Sequence, residues 1–515
     1  MALAHFFYPR PIPLPALRLW GAIDGALPRP PRRPAWLSHF PRFRYTLPIR
    51  HYPESRFRSS MNTISIPSQT IPVAAEVDLC VCGGSCTGVF AAIAAARKGL
   101  RVALVEANGF FGGSATASFV PVWHSLYSLD GTRQIIGGLT EETLHRLDAR
   151  HDVQFRAKTD PSVYATFSTP GLILVLDQMV AQEAPRLRPF LHATVSGSIV
   201  RSPGELSHVI IQDKSGTRAI AARFFIDATG DGDLLRRSGF SMRSVPDAER
   251  QAHTTCAILA GADRLSAAHP GFSFGEMMKP ERGAGLKHVF FWQAPVIGAP
   301  GLSFVALSRV SCNPVDADQL TAAEMEGRRQ INAFTTACNR EFPTPDARIA
   351  VAALPPSIGL RESLHANCLY TLTEQDLLHG KTFPDTIARG TYRIDIHEGS
   401  GITFRYLDGT SSHLSVDPVT QKTAWTGGRW LPDGAPHAQW YEIPFRSIVP
   451  ARSVNVLCAG RMLDCDRGAY GAVRVMVTCN QMGEAAGSAA ADILQSGQTL
   501  SDYVDALSNP KPGTK

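Results

Sequence analysis

The sequence predicts an α/β fold: a central parallel sheet with helices and a small β-meander, and an α+β domain inserted into it. Three observations predict it. Residues 77–106 run strand, glycine turn, helix, strand, acid. Residues 223–233 and 453–494 each hold another buried strand that ends in glycine. Between them, residues 246–440 lose that pattern and alternate aromatic strand-like pieces with helices and polar loops.

Residues 1–60 are rich in Pro and Arg, and prolines interrupt every apolar run, so no signal-peptide core is present. The segment holds ten arginines, no lysine and only two acids, Asp24 and Glu54. The formal charge of +6 therefore comes from this arm, and the rest of the chain is close to neutral. That argues against a nucleic-acid surface. Three readings fit the arm: a disordered extension, an organellar presequence, or upstream sequence with Met61 as the true start. The third is favoured, because Met61 opens a short lead into the first strand. Residues 1–72 are set outside the fold.

Residues 77–82, Val-Asp-Leu-Cys-Val-Cys, are short and apolar and run into glycines, which reads as a buried strand. Gly83 and Gly84 turn the chain. Residues 87–98 are rich in alanine with no breaker and read as a helix that Gly99 ends. Residues 101–106 are a second buried strand closing on Glu106. This is the layout of a Rossmann-like dinucleotide-binding unit. A helix N-terminus gathers unpaired N–H groups and positive dipole, which suit a pyrophosphate. Glu106 lies where an acid meets a ribose hydroxyl. Ser85 takes the second glycine of the Gly-x-Gly-x-x-Gly pattern and is small enough to keep the backbone open. Taken alone, the stretch also fits an ordinary strand–helix–strand turn.

With 44% hydrophobic and 19% charged residues in 515, the chain has the composition of a globular protein with two domains or one large composite. No uninterrupted apolar run reaches the roughly 18 residues of a membrane span. A cytoplasmic location is expected, or an organellar one if the arm is a presequence. The ten cysteines show no Cys-x-x-Cys and no Cys/His spacing, so no metal site is expected and they read as small buried thiols. Cys86 stands apart, because a helix N-terminus lowers a thiol pKa, but a small residue that merely fits beside the ligand is the favoured reading.

After Glu106, Gly112 and Gly113 are followed only by small residues, which leaves room for a flat ligand against bare backbone. Residues 134–138 lead into a helix capped by Thr140. Residues 165–188 read as mostly helical. Residues 190–200, 208–212 and 218–221 read as strands, the last two joined by a turn at 213–216. A further strand, 223–228, runs into Thr229-Gly230-Asp231-Gly232-Asp233. Such strand ends put backbone at the carboxyl edge of a sheet, where ligands bind. Residues 246–440 carry strands at 289–292 and 303–307 and helices at 322–342 and 374–378. Residues 453–459 are another buried strand, 468–474 a loop, and 475–494 an alanine-rich helix. Gly483 and Gly487 lie four apart and share a helix face, which permits close packing. The expected division is 73–118 with 170–245 and 442–500 as a nucleotide-binding domain, 119–169 with 246–441 as a substrate or cap domain, and 501–515 as a tail.

These blocks are similar to those of a known family. Residues 81–106, 109–117, 225–233 and 455–487, with Gly359-Leu360-Arg361-Glu362-Ser363, resemble FAD-dependent oxidoreductases. The branch is the FAD_oxidored family of the glutathione-reductase-like flavoprotein superfamily, and the resemblance spans residues 75–495. It implies FAD as cofactor. Gly83, Gly84, Ser85 and Gly88, with Cys86 and Thr87 between them, would cradle the pyrophosphate. Glu106, followed by Ala107, would take the adenosine ribose. Gly112, Gly113 and Ser114 would lie along the flavin end, and Ala228, Thr229 and Gly230 near the adenosine half. Gly460, beside Arg461, and Asp464 would approach the ribitol and phosphate. The helix starting near Val475 would aim its positive end at the flavin pyrimidine, where reduced flavin is negative. Cys86-Thr87 replaces an expected Pro-Ala, and Val477 stands where proline is common.

The implied activity is hydride transfer between a small organic substrate and flavin N5, with an unidentified electron acceptor. An alcohol or amine donor needs a base, usually His, and a cation for an acidic or carbonyl function. Four residues are candidates. His397 closes a strand-like run, 392–397, as an acid/base or as a solvent-facing histidine. Arg361 is a clamp or the ion-pair partner of Glu362. Arg474 precedes the flavin-facing helix, as an active-site cation or a structural carbonyl contact. His124 is an active-site residue or a covalent flavin attachment. Two other functions compete. An FAD-dependent monooxygenase using NAD(P)H and O2 is one, because Asp231-Gly232-Asp233 followed by Arg236 and Arg237 is loosely similar to an aromatic-hydroxylase motif. A flavoprotein with a non-redox or structural FAD is the other. No partner beyond a small-molecule substrate is implied, and the oligomeric state stays open.

Overall fold

The computed structural model describes residues 64–160, 162–279, 286, 291–397, 401–417 and 423–510. Residues 1–60 and Met61 lie outside the described residues. The chain separates into Met1–Ser68 and Gln69–Lys515. Every strand and helix among the described residues lies in the second unit.

The first strand, β1 (Val73–Cys82), buries Leu79, Cys80, Val81 and Cys82 completely. It feeds α1 (Cys86–Arg97), in which every residue but Arg97 is buried. Small side chains let neighbours close on that helix from all sides. Then come β2 (Val102–Val105), β3 (Leu187–Phe190), β4 (Thr194–Ser202), β5 (Glu205–Asp213), β6 (Gly216–Asp227) and, far along the chain, β7 (Val456–Cys458). The sheet order is β3-β2-β1-β6-β5-β4, with β7 also on β6. β3, β2, β1, β6 and β7 are parallel, and β4, β5 and β6 form an antiparallel meander. The carboxyl ends of the parallel strands therefore open on one edge, as the α/β reading requires.

The intervening segments are mixed α and β. One four-stranded antiparallel sheet joins Trp292–Pro295, Leu302–Ala306, Cys256–Ala260 and Ala350–Ala353, with the 25-residue helix Ala317–Glu341 in the same segment. Another joins Ile394–His397, Ile402–Arg405, Thr410–Val416 and Thr423–Arg429. No helix among the described residues is long and apolar enough to cross a membrane.

Several elements differ from expectation. Ala165–Phe167 is a strand, and the helix runs only over Thr169–Gln182. Residues 190–200 are not one strand: the chain breaks at His192, with φ +52°, and passes from the parallel edge into the meander. Residues 218–221 and 223–228 are one long strand, β6. The helix expected to be capped by Thr140 starts earlier, at Gly138, with Gly137 as N-cap. Residues 468–474 are not a loop but the helix Arg467–Val473, nucleated by Asp466, whose Oδ1 accepts from Ala469 N at 2.8 Å. The expected tail holds a helix, Leu500–Ser508, with a capping box between Thr499 and Asp502. Residues 289, 290 and 511–515 lie outside the described residues.

The C-terminal helix α2 (Met476–Ser496) lies directly on α1. A Cβ on Gly483 would sit 2.0 Å from Thr87 O, and one on Gly487 2.0 Å from Ala91 O. Backbone touches backbone, and no side chain fits between. The contacts advance together, so the helices run parallel and their N-termini point the same way. Gly483→Ala and Gly487→Ala are each expected to cost about 1–3 kcal/mol by overpacking, read as a lower denaturant midpoint. Gly271→Ala, whose Cβ meets nothing within 4 Å, should leave the midpoint unchanged.

Candidate functional site

The turns after the parallel strands interlock at the carboxyl edge. Gly83 leaves β1 with φ +101°, and a Cβ there would lie 2.3 Å from Ala228 O on the turn after β6. A Cβ on Gly88 would lie 1.8 Å from Gly83 O. Only glycine fits either position. Gly84 N donates to Glu106 Oε2 at 2.7 Å, and Glu106 Oε1 accepts from Asn108 N and Nδ2, each at 2.7 Å. Glu106 is thereby fixed, buried, at the rim beside exposed Ala107. Gly112 and Gly113 fold back onto the same turn. Gly112 N donates to Gly84 O at 2.8 Å, and a Cβ on Gly113 would lie 2.6 Å from Ser85 Cβ. Ser114 continues that turn, with its carbonyl accepting from Val120 N at 3.1 Å.

Ser85 is the N-cap of α1, yet its side chain makes no capping bond and no acid lies in the first turn. Cys86 and Thr87, both buried, open the helix. After β6, Asp227 accepts from Thr229 N and Oγ1 and from Leu235 N, which fixes Ala228, Thr229 and Gly230. After β7, Gly460 lies against Thr87, and Arg461 bridges Asp231 Oδ1 (3.2 Å) and Leu360 O. Asp464 ties this turn to two further segments, accepting from Cys368 N at 2.8 Å and from Arg243 at 3.3 Å. Val475 N-caps α2, again with no side-chain bond and no acid in the first turn. Two helices thus bring uncompensated positive ends to one edge.

Arg474, just before Val475, opens onto a recessed polar cluster built on the strand Ile394–His397. Gly471 allows it, because a Cβ there would lie 2.9 Å from Asp395 N. Asp395 is the centre. Tyr392 OH donates to its Oδ2 at 2.9 Å, Arg474 Nη2 donates to its main-chain O at 3.1 Å, and His397 Nε2 lies 3.0 Å from its Oδ1. Arg309 Nη2 donates to His397 Nδ1 at 2.7 Å, so the ring proton sits on Nε2. His397 is buried, not solvent-facing, and both ring nitrogens are engaged. The expected acid/base role therefore lacks an open nitrogen. Arg361 is not paired with Glu362: its Nη1 donates to Ala252 O and Thr254 Oγ1, while Glu362 accepts from Gln251 N at 2.9 Å and lies 3.3 Å from His365 Nε2. His124 donates from Nδ1 to Ser162 O and its ring lies 4.1 Å from that of Tyr392. Its Nε2 then carries a lone pair, and no described residue is bonded there.

Sequence reasoning brings His124, Arg361, His397 and Arg474 to attention but misses Gln251, Arg309, Tyr392, Arg393 and Asp395. The signal for three of these was local: two charged residues, Arg393 and Asp395, alternate with Ile394 and Ile396 beside Tyr392. Gln251 and Arg309 carry no such mark.

The model of the family described as FAD dependent oxidoreductase matches residues 78–507. The chain belongs to this family. FAD is its cofactor. Solved structures to which this flavoprotein is similar include p-nitrophenol 4-monooxygenase from Pseudomonas putida, at 11% identity, with 84% of each chain covered and a TM-score of 0.41. A geranylgeranyl bacteriochlorophyll reductase-like protein from Thermoplasma acidophilum gives 11% identity, 84% of this chain, 82% of that chain and a TM-score of 0.40. The glycerol-3-phosphate dehydrogenase from Bacillus halodurans, complexed with FAD, gives 15%, 55%, 60% and 0.32. No curated protein matches the chain by sequence.

The carboxyl edge of this flavoprotein fits FAD. Its glycines leave backbone where a Cβ would clash, and neither helix N-terminus is neutralised by its own sequence. Asn480, fully buried on α2, has neither Nδ2 nor Oδ1 bonded within the described residues, and it shares the face of Gly483 and Gly487. Burial pushes the Cys86 thiol up to about 12, so the helix end does not activate it. Burial pushes His124 and His253 down to about 4 and His397 to about 3, so all three are neutral at pH 7. Burial also lowers Arg309 and Arg361 to about 10, which leaves both charged. Asp395 stays ionised: burial opposes this, but His397, Arg474 and Arg393 hold its pKa well below the usual range.

These histidines set a pH dependence. Each has a folded pKa below its ordinary 6.5, so below that pH the unfolded chain binds protons that the folded one refuses. Their contribution is complete above pH 6.5 and is lost at about 1.4 kcal/mol per pH unit per histidine on the way down to about 4. Asp227, raised to about 6 by burial, acts in the opposite sense over part of that range, as do Asp177, Asp231, Glu374 and Glu484, which burial also raises. The melting temperature is expected to fall from pH 6.5 to pH 4, and less steeply in His253→Gln. Equal slopes for the two proteins would contradict this.

Proposed function

We propose that this flavoprotein, as a member of the glutathione-reductase-like superfamily, exchanges a hydride between a small organic substrate and FAD. The supporting observation is the junction at Arg474 and Val475. The cationic cluster and the uncapped N-terminus of α2 are consecutive in the chain, so substrate-handling groups adjoin the cofactor edge. Bound FAD supplies a two-electron acceptor at N5. Residues 73–118, 170–245 and 442–500 hold the cofactor, and residues 119–169 with 246–441 hold the substrate.

The chain's own residues divide the work. Gly83, Gly84, Ser85 and Gly88 offer backbone to the pyrophosphate, and Glu106 takes the adenosine ribose. Gly112, Gly113 and Gly460 would leave bare backbone beside the ribitol and ring, and Ser114 would lie along the flavin end. The α2 N-terminus and Arg474 hold positive charge at the pyrimidine edge. His124 is the proton acceptor: the Ser162 carbonyl holds its Nδ1–H, which leaves the Nε2 lone pair for an alcohol or amine proton. Its low pKa rises when an anion sits beside it. His397 positions Arg309 and Asp395 and moves no proton. An FAD-dependent monooxygenase using NAD(P)H and O2 is the competing reading; of the groups that suggested it, Asp231 pairs with Arg461, while Arg236 and Arg237 lie 3.5 and 3.7 Å from Asp233 and stay partly exposed.

Anaerobic titration with a panel of alcohols, amines and their acids tests this. One member is expected to bleach the flavin, and His124→Gln should slow that step by about 10²–10⁴-fold while dithionite reduction is unchanged. Bleaching by NAD(P)H alone, followed by oxygen insertion, would move the protein to the monooxygenases. A flavin that no donor reduces would sink the hydride reading.

A further inference from the structure

We infer that the substrate carries a carboxylate, held by Arg361, Arg474 and the amide of Gln251. This rests on the oxidoreductase reading for what the site is for, but it is argued from the charge and hydrogen-bond state of the cluster.

Four guanidiniums, Arg309, Arg361, Arg393 and Arg474, gather around the strand Ile394–His397, and each keeps some accessible surface. Three acids stand against them, Asp395, Glu362 and, toward Arg393, Asp160. Asp395 is occupied by Tyr392, Arg474 and His397, and Glu362 by His365 and the main chain of Gln251. The neighbouring histidines are neutral. The recess therefore keeps a surplus of positive charge that its own residues do not balance, and such a surplus favours an anion.

The hydrogen-bond state sharpens the class. Gln251 is fully buried, and its Nε2 has no partner among the described residues. Its Oε1 accepts from His397 N at 3.4 Å, which fixes the amide with Nε2 turned off the strand. Arg474 Nη2 is tied to Asp395 O, two residues away on the same strand edge, and Arg474 Nε is likewise buried and unbonded. Arg361 Nη1 is anchored to Ala252 O, next to Gln251. Unbonded donors from adjacent points on one strand edge match a planar acceptor with two oxygens. A neutral carbonyl would satisfy the donors but not the charge.

The test uses the FAD-loaded full-length protein and pairs of probes: acetate, oxalate and benzoate against acetamide, oxamide and benzamide. Binding is read from flavin difference spectra and from the melting temperature. At least one carboxylate is expected to bind about tenfold or more tightly than its amide, a difference of about 1.4 kcal/mol. Gln251→Leu should weaken that carboxylate about tenfold and leave FAD content unchanged. Gln251→Glu, close in shape, should abolish carboxylate binding through like charge. Equal binding within every pair, or no binding by any probe, overturns the inference. Flavin reduction by donors is measured separately. A protein that binds carboxylates but is never reduced by a donor contradicts the proposed reaction and not the site, and the reverse result contradicts only the site.

Discussion

The site depends on one contact, the backbone-to-backbone packing of α1 and α2. Thr87 and Ala91 meet Gly483 and Gly487 with no side chain between them. The helices are almost four hundred residues apart in sequence and yet run parallel. Two helix N-termini therefore share an edge, and their dipoles add where a long anionic cofactor would lie. Gly460, set against Thr87, brings the turn after β7 into the same corner. Opening the two helices by the width of a methyl group would shift every one of these parts.

A second constraint is electrostatic. The strand Ile394–His397 places Asp395 where neutral His397 and the cations Arg474 and Arg393 act on it, and Gly471 lets the helix before α2 lie on that strand. The arginines are charged, the histidines neutral, and of the cluster's described histidines His124 keeps an open ring nitrogen with the proton fixed on the other. Charge and proton handling are thus assigned to different residues. This arrangement needs the histidines to remain deprotonated, which ties the site to the acid sensitivity of the fold.

The parts set by local physics were legible in the sequence. The β1–α1–β2 unit showed as an apolar run, two glycines, an alanine-rich stretch and an acid, and Gly483 and Gly487 showed as a face by their spacing of four. The parts set by tertiary packing were not. Helix Arg467–Val473 looks like a loop because Gly468 and Gly471 lower its propensity; both glycines are there for close approach to Glu374 and Asp395. The cluster draws on residues 124, 251, 309, 361, 392–397 and 474; His124, Arg361, His397 and Arg474 stand out singly, but nothing local marks Gln251 and Arg309 or joins these segments. His397 misled because a histidine at a strand end looks accessible, whereas Arg309 and Asp395 cover both its nitrogens.

The most direct measurement is the visible spectrum of the purified protein, recorded before and after denaturation. A flavin spectrum with about one FAD recovered per chain is expected if the two helix ends and the glycine turns hold the cofactor as described. FAD released into solution would show it non-covalently held, and colour retained on the precipitated chain would show attachment. A colourless protein that acquires no flavin spectrum on addition of FAD would contradict the cofactor site itself.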